Sequence, residues 1–110
     1  MKTLLISAAT AAALILPTAA NAQAVPAADL EALTDDLIDD ILAVNFRGVV
    51  ATIRAFVPLL KASGDGLVVN VSSIAGFTGT GSNLAYVAAK AGIDVVGDAL
   101  ARALAPTVRV

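Results

Sequence analysis

Apolar residues recur every three or four positions over residues 34–62, which is the period of an amphipathic helix. The predicted inward face comprises Leu37, Ile41, Val49, Ile53, Phe56 and Leu60. Asn45 fills the one gap in this series, and a buried amide must find hydrogen-bond partners there. Basic residues recur every seven positions and predict a solvated stripe: Arg47, Arg54 and Lys61. The pattern therefore predicts one long helix with Asn45 among its core-facing residues.

An acidic stretch leads into this helix and contains Asp29, Glu31, Asp35, Asp36, Asp39 and Asp40. Such a cluster is typical either of a metal site or of a helix N-terminus. Carboxylates are stabilised by the positive end of the helix macrodipole, and Thr34 is a suitable N-cap residue. Because no ligand-like spacing stands out among the acids, we favour the helix start and predict no metal site.

A short apolar run of β-forming residues occupies residues 67–72, after a turn over residues 63–66. A run of this length between turn residues is typical of a strand buried on both faces, as in a parallel sheet. Residues 76–81 carry three glycines and predict a loop. Residues 107–110 predict the start of a further strand.

A second helix is predicted over residues 84–105, ending before Pro106. We assign its inward face to Val87, Ala91, Val95 and Ala99. Other apolar residues of the same helix widen this surface: Ile93, Val96, Leu100 and Leu104. The order of helix, strand, helix and strand predicts an α/β fold.

Residues 1–22 have the pattern of an export signal. Lys2 precedes an apolar stretch, Pro17 breaks it, and small residues at positions 20–22 offer a cleavage site. The alternative is a membrane anchor, but a helix needs about 20 apolar residues to span a bilayer, and this stretch is shorter. We expect cleavage before Gln23, a linker over residues 23–28, and an exported or periplasmic protein with no stable membrane anchor after cleavage.

The composition excludes several kinds of chemistry. The chain has 110 residues, is 58% hydrophobic with a mean hydropathy of +0.87, and carries a formal net charge of −2. A net negative charge does not indicate the basic surface that binds nucleic acid, so we predict no nucleic-acid partner. The sequence contains no Cys and no His. This excludes disulfides, thiolate nucleophiles, imidazole bases and ordinary zinc sites.

The candidate chemistry lies where the predicted strand ends and the second helix begins. Ser73 follows the strand, while Tyr86 and Lys90 lie one turn apart on one helix face. A hydroxyl, a phenol and an ammonium can therefore converge at the carboxyl edge of the sheet, where open α/β sheets usually place their chemistry. The alternative is structural: a surface tyrosine, an exposed lysine and a strand-capping serine, with Asn45 a satisfied polar residue of the core.

These residues resemble a known catalytic set. Asn45, Ser73 and the Tyr86-x-x-x-Lys90 pair are similar to the Asn-Ser-Tyr-Lys tetrad of short-chain dehydrogenases/reductases. In that family the serine follows a strand reading like VNVSS and lies thirteen residues before the tyrosine, as Ser73 lies before Tyr86. In the family the asparagine also interrupts its helix and holds a water that connects to the catalytic lysine.

The resemblance implies a partial doubly wound, Rossmann-like parallel sheet and an NAD(P)-dependent oxidoreductase that interconverts an alcohol and a ketone. Asn45, Ser73, Tyr86 and Lys90 would be the catalytic residues, and Tyr86 and Lys90 would also bind the cofactor, NAD or NADP. The small-molecule substrate would be an alcohol or a ketone. Because the corresponding family helices commonly form a subunit interface, we expect a homo-oligomer assembled through the helices over residues 34–62 and 84–105.

Two features depart from the family pattern. The glycines of residues 76–81 follow the order G-x-x-G-x-G, which is neither the Rossmann fingerprint G-x-G-x-x-G nor the family motif T-G-x-x-x-G-x-G. Ala89 stands where the family often has serine. In the family, the first strand, its glycine-rich turn, the ribose selector and the N-N-A-G strand precede the asparagine helix, and none of them occurs before Asn45 here. We therefore expect residues 29–110 to form a partial domain that lacks the N-terminal dinucleotide-binding strands. Two alternatives stay open: a small exported non-catalytic protein whose helices mediate self-association, and half of a split enzyme.

Overall fold

The computed structural model describes residues 30–80 and 83–110. The predicted signal peptide (residues 1–22), the linker (residues 23–28) and Gly81 of the predicted loop lie outside the described residues. In chain order the elements are a 3₁₀ turn (Leu30–Ala32), α1 (Asp35–Leu42), a π-helical segment (Ala43–Arg47), α2 (Gly48–Ser63), β1 (Gly66–Leu67), α3 (Ile74–Thr78), α4 (Leu84–Leu104) and β2 (Val108–Arg109).

The predicted long helix is confirmed as α1, the π-helical segment and α2 in unbroken succession. The Thr34 side chain caps its start and accepts a hydrogen bond from the backbone N–H of Leu37 at 3.2 Å. The helix ends at Gly64, whose φ of 74° is the left-handed conformation that favours glycine. The predicted stripe of Arg47, Arg54 and Lys61 is exposed to solvent.

Strand β1 pairs with β2 in parallel, with Gly66 opposite Val108 and Leu67 opposite Arg109. The backbone N–H of Val68 extends the pairing by donating to the Arg109 carbonyl at 2.8 Å. Helix α4 connects the two strands and packs against β2, while α2 contacts both strands. A parallel pair needs such a crossover connection, and the predicted α/β class is confirmed.

The prediction of a strand buried on both faces over residues 67–72 is wrong for the described residues. Regular pairing is limited to Gly66–Leu67, and alternate side chains from there are exposed: Leu67 by 51%, Val69 by 76% and Val71 by 74%. The reason is that α2 contacts β1 and α4 lies next to Asn70 through Gly97, whereas no described element covers the face of Leu67, Val69 and Val71. The apolar face of Leu67, Val69 and Val71 therefore meets solvent.

A short helix replaces part of the loop predicted over residues 76–81. Ser73 caps α3 at its start, and Gly79 ends it with a φ of 70° and a backbone N–H that donates to the Ala75 carbonyl at 2.9 Å. An N-cap serine and a left-handed glycine six residues later enclose a single turn. The glycine content predicted a loop here and did not indicate this helical turn.

The core lies between α4, the long helix and the two strands. Its buried apolar residues are Ile41, Ile53, Leu60, Ala75, Ala85, Ala89, Ile93 and Val108. The inward face predicted for α4 is wrong at Val95, which is 70% exposed. The buried residues are Ala85, Ala89 and Ile93, of which Ile93 was predicted to widen the apolar surface. Apolar residues surround most of this helix, so periodicity alone could not select the side that packs.

Among the described residues, the continuous helix Asp35–Ser63 is long and apolar enough to cross a membrane by length and composition alone, with a mean hydropathy of 1.4. Core helices of soluble proteins meet the same criteria. This helix packs its buried Ile41, Ile53 and Leu60 into the core and presents a charged stripe on another side. Within its most apolar window 17% of the residues are buried, so one side of the helix packs and the rest of its surface is open among the described residues.

Replacing Ile93 with Ala should lower the free energy of unfolding by about 2–5 kcal/mol, because the side chain is 1% exposed and its loss leaves a cavity. The matched control on the same helix is Val95→Ala, which should change it by less than about 0.5 kcal/mol. Urea unfolding followed by circular dichroism measures both. Equal losses would contradict the assignment of the buried face.

Candidate functional site

Ser73 lies where the extended segment after β1 turns into α3. Its Oγ accepts a hydrogen bond from the backbone N–H of Ala75 at 3.2 Å, which makes it the N-cap of α3. A hydroxyl has one hydrogen and two lone pairs. Because the cap uses a lone pair, the hydroxyl hydrogen of Ser73 stays available to donate to another oxygen.

Lys90 joins α4 to the end of the same extended segment. Its Nζ donates a hydrogen bond to the Val71 carbonyl at 2.9 Å, two residues before Ser73. The same Nζ lies 5.6 Å from the centroid of the Tyr86 ring, one turn earlier on α4. An ammonium has three hydrogens to donate, so the bond to Val71 leaves capacity for a ligand beside the phenol.

Asn83 positions Tyr86 and was not predicted from the sequence. Its side chain is fully buried, and its Oδ1 accepts a hydrogen bond from the Tyr86 backbone N–H at 2.9 Å, which caps α4. An asparagine just before a predicted helix start is a recognised N-cap signal. That signal was present at position 83, three residues before the tyrosine.

The contact between α3 and α4 is made by backbone. A β-carbon built on Gly76 would lie 2.9 Å from the Ala91 nitrogen and 3.0 Å from the Lys90 carbonyl carbon. These separations are too short for a real side chain, so α3 approaches this closely only because residue 76 is glycine. The helix that Ser73 caps therefore rests on the turn of α4 that carries Lys90.

Asn45 lies inside the π-helical segment, and its side chain is buried with 6% exposure. Its Nδ2 donates to the Ile41 carbonyl of the preceding turn at 3.0 Å, rather than to Ser73, Tyr86 or Lys90. The π-helical segment itself contacts α4. Asn45 therefore lies in a segment that contacts α4, the helix of Tyr86 and Lys90, but its amide bonds to Ile41 within its own helix.

A groove in the described residues lies away from this group. It has a volume of about 390 Å³ between the β1 segment and the later part of α4, and Asn70, Asp94 and Asp98 are its polar side chains. None of the four predicted site residues lines it. The buried atoms that have no hydrogen-bond partner within the described residues are Ser72 Oγ and Asp94 Oδ2. The candidate site is therefore an open edge of the domain.

The donor set at this edge suits a ligand rich in hydroxyl and carbonyl oxygens. Ser73 offers a hydroxyl hydrogen, Tyr86 a phenol, and Lys90 an ammonium. Within the described residues, no three His, Cys, Asp or Glu side chains lie close enough to hold a metal ion. The chemistry that this group supports is proton transfer at an oxygen atom.

Comparison with known proteins identifies relatives over most of the chain. The sequence model of the family described as short chain dehydrogenase matches residues 11–110. A short-chain dehydrogenase/reductase homolog, YusR, from Bacillus subtilis is 47% identical over 64 residues, which cover 58% of this chain and 50% of that protein. A protein assigned as ketoacyl reductase 2 of the granaticin polyketide synthase, from Streptomyces violaceoruber, is 41% identical over 92 residues, or 84% of this chain and 37% of that protein.

A solved structure shows the same fold. A crystal structure assigned to a short-chain dehydrogenase/reductase from Burkholderia xenovorans superposes with a TM-score of 0.76 at 39% identity, covering 80% of this chain and 37% of that one. This likeness confirms the predicted partial Rossmann-like sheet. The chain spans half or less of the length of these relatives. The family match begins at residue 11, inside the segment predicted as a signal peptide.

Replacing Ser73 with Ala should lower the free energy of unfolding by about 1 kcal/mol, because the Ala75 N–H loses its cap. Ser73→Asp should keep most of the stability, since a carboxylate also accepts from that N–H. Thermal unfolding of the two variants and the wild type measures the difference. Equal destabilisation by both substitutions would show that the cap does not hold the turn.

Proposed function

This chain belongs to the short-chain dehydrogenase/reductase family, and on that premise we propose that it takes part in NAD(P)-dependent interconversion of an alcohol and a ketone. The observation that carries the proposal is the position of Lys90. Its ammonium bonds to the Val71 carbonyl in the extended segment that leads from β1 to Ser73, and it lies beside the Tyr86 ring. A phenol, an ammonium and a free hydroxyl hydrogen at one edge of a parallel sheet are the groups that this reaction needs.

The proposed cofactor is NAD or NADP, which members of the family generally use and which supplies the hydride when bound. Tyr86 and Lys90 would hold it, because a phenol and an ammonium with free hydrogens match the hydroxyl and carbonyl groups of a nucleotide. A glycine-rich turn with the Rossmann order does not occur in the sequence. Tyr86 and Lys90 are therefore proposed to hold the reacting end of the cofactor, and no residue is assigned to its phosphates.

Each residue of the proposed site has a distinct task. Ser73 donates its hydroxyl hydrogen to the substrate oxygen, and its cap to Ala75 holds that hydroxyl in place. Tyr86 transfers the proton at the same oxygen. The Lys90 ammonium stabilises negative charge that develops on the phenol oxygen. Asn45 is proposed to keep its family role, which is to hold a water that connects to the lysine. It lies in the π-helical segment, where its Nδ2 donates to the Ile41 carbonyl.

Self-association through the long helix and α4 is part of the proposal. Leu59 of α2 is 60% exposed and Val95 of α4 is 70% exposed. Burying such side chains against a second copy would remove apolar surface from water. The proposed assembly is a homo-oligomer in which these two helices meet their counterparts.

A second candidate function is half of a split enzyme, completed by strands from a partner. The exposed apolar face of Leu67, Val69 and Val71 favours it. An unpaired strand edge offers backbone donors and acceptors to an added strand. A partner strand that pairs along this segment would extend the parallel sheet, and a helix of the same partner packed on that sheet would cover the exposed face.

The exported or periplasmic location is proposed from residues 1–22 alone. The family match overlaps this segment from residue 11 onward. The two interpretations assign residues 11–22 either to a leader or to the domain. Sequencing the N-terminus of the expressed protein separates them, since a cleaved leader gives Gln23 as the first residue.

Replacing Tyr86 with Phe should lower kcat/KM for ketone reduction by about 10²–10⁴-fold, the usual contribution of a positioned acid–base group. The assay follows NADH or NADPH absorbance with a panel of small ketones and the full chain. Lys61→Met is the control, because Lys61 is exposed on α2 and lies outside the site. Turnover by the variant at the wild-type rate, or none by the wild type with either nucleotide, would contradict the proposed function.

A further inference from the structure

We propose that Gly76 and Gly92 are positioning residues of the site. They allow α3 and the π-helical segment to contact α4 at the turn that carries Lys90, and they thereby fix Ser73 and Asn45 relative to that lysine. This inference rests on the proposed function for its catalytic meaning, but the contacts themselves stand on the geometry alone.

Gly76 makes the tighter of the two contacts. Its missing β-carbon would lie 2.9 Å from the Ala91 nitrogen, 3.0 Å from the Lys90 carbonyl carbon and 3.3 Å from the Ala91 Cα. All three atoms belong to the backbone of a long helix, so none can rotate away. A side chain at position 76 must push α3 off α4. Ser73 moves with α3, because it is the N-cap of that helix.

Gly92 makes the second contact, two residues after Lys90. A β-carbon there would lie 3.1 Å from Cε2 and 3.2 Å from Cδ2 of the Phe46 ring. Phe46 is the neighbour of Asn45 in the π-helical segment. An aromatic ring can shift by a few tenths of an ångström, so this contact tolerates a methyl group better than the backbone contact at Gly76.

A third glycine provides the matched control. Gly97 lies on α4, and a β-carbon there would meet Asn70 Nδ2 at an ordinary 3.5 Å. Its φ is not positive, so alanine fits its backbone conformation. The substitution Gly97→Ala removes a helix-destabilising residue and touches neither Ser73 nor Asn45.

The test uses the full chain carrying Gly76→Ala, Gly92→Ala or Gly97→Ala. Nuclear magnetic resonance reads the exchange rate of the Lys90 ammonium protons with water, which the bond to Val71 slows. It also reads the ring resonances of Tyr86, the single tyrosine of the chain. Both reporters are distant in sequence from Gly76, so a change there reports movement between helices.

Gly76→Ala should speed ammonium exchange by about tenfold, as expected for the loss of a bond worth about 1.4 kcal/mol, and shift the Tyr86 resonances while the helix content is kept. Gly92→Ala should give a smaller change that Phe46→Leu reverses in the double variant. Gly97→Ala should leave both reporters unchanged and raise Tm by about 4–8 °C. In the active enzyme, Gly76→Ala should lower kcat/KM by up to about 100-fold, the effect of a misplacement near 1 Å.

The inference is overturned if a folded Gly76→Ala variant has the Lys90 ammonium exchange rate and the Tyr86 ring resonances of the wild type. If that variant does not fold, Gly92→Ala is the deciding variant. The inference is then overturned if the Lys90 ammonium exchange rate is unchanged, or if it changes and Phe46→Leu does not reverse the change. Failure of the proposed function looks different. In that case the wild type turns over no ketone, while the ammonium exchange still responds to the two glycines.

Discussion

The close approach of α3 to the backbone of α4 is the constraint on which the site depends. Gly76 lies within 3.0 Å, measured from its missing β-carbon, of backbone atoms at Lys90 and Ala91. One turn of α4 therefore packs against α3, the helix that Ser73 caps, and also carries Lys90, which bonds to the Val71 carbonyl. The π-helical segment meets the same turn through Phe46 and Gly92. Two parts of the chain that are distant in sequence, residues 71–78 and the π-helical segment, are held by a few atoms of one helix.

The bond from Lys90 to the Val71 carbonyl links this packing to chemistry. It ties α4 to the extended segment that follows β1 and leaves the ammonium beside the only tyrosine. In a family whose members generally use NAD(P), such an edge suits proton transfer at a substrate oxygen. The same edge is open, and Leu67, Val69 and Val71 expose an apolar face next to it. That exposure is the physical reason to expect a further partner, whether a second copy or added strands.

Much of this architecture could be predicted from the sequence, because it depends on local pattern. The Thr34 cap, the long helix and the bounds of α4 follow from capping and periodicity, and the spacing of Ser73, Tyr86 and Lys90 identified the family. The burial of Ala89 instead of Val95 could not be predicted, since α4 is apolar on most sides. The role of Gly76 depends on what lies opposite it, and the Val71 carbonyl has no side-chain signature. Such features are set by tertiary packing, which a single sequence does not display.

The most direct measurement is thermal unfolding of the full chain with and without millimolar NADH or NADPH. Binding to the folded form stabilises it by about 2.7 kcal/mol at a ligand concentration one hundred times Kd. We predict a rise in Tm with at least one nucleotide, much reduced in Lys90→Met and kept in the matched Lys61→Met variant. If neither nucleotide raises the Tm of the wild type, or if Tm rises equally in the two variants, the result contradicts a site built on Lys90 and Tyr86.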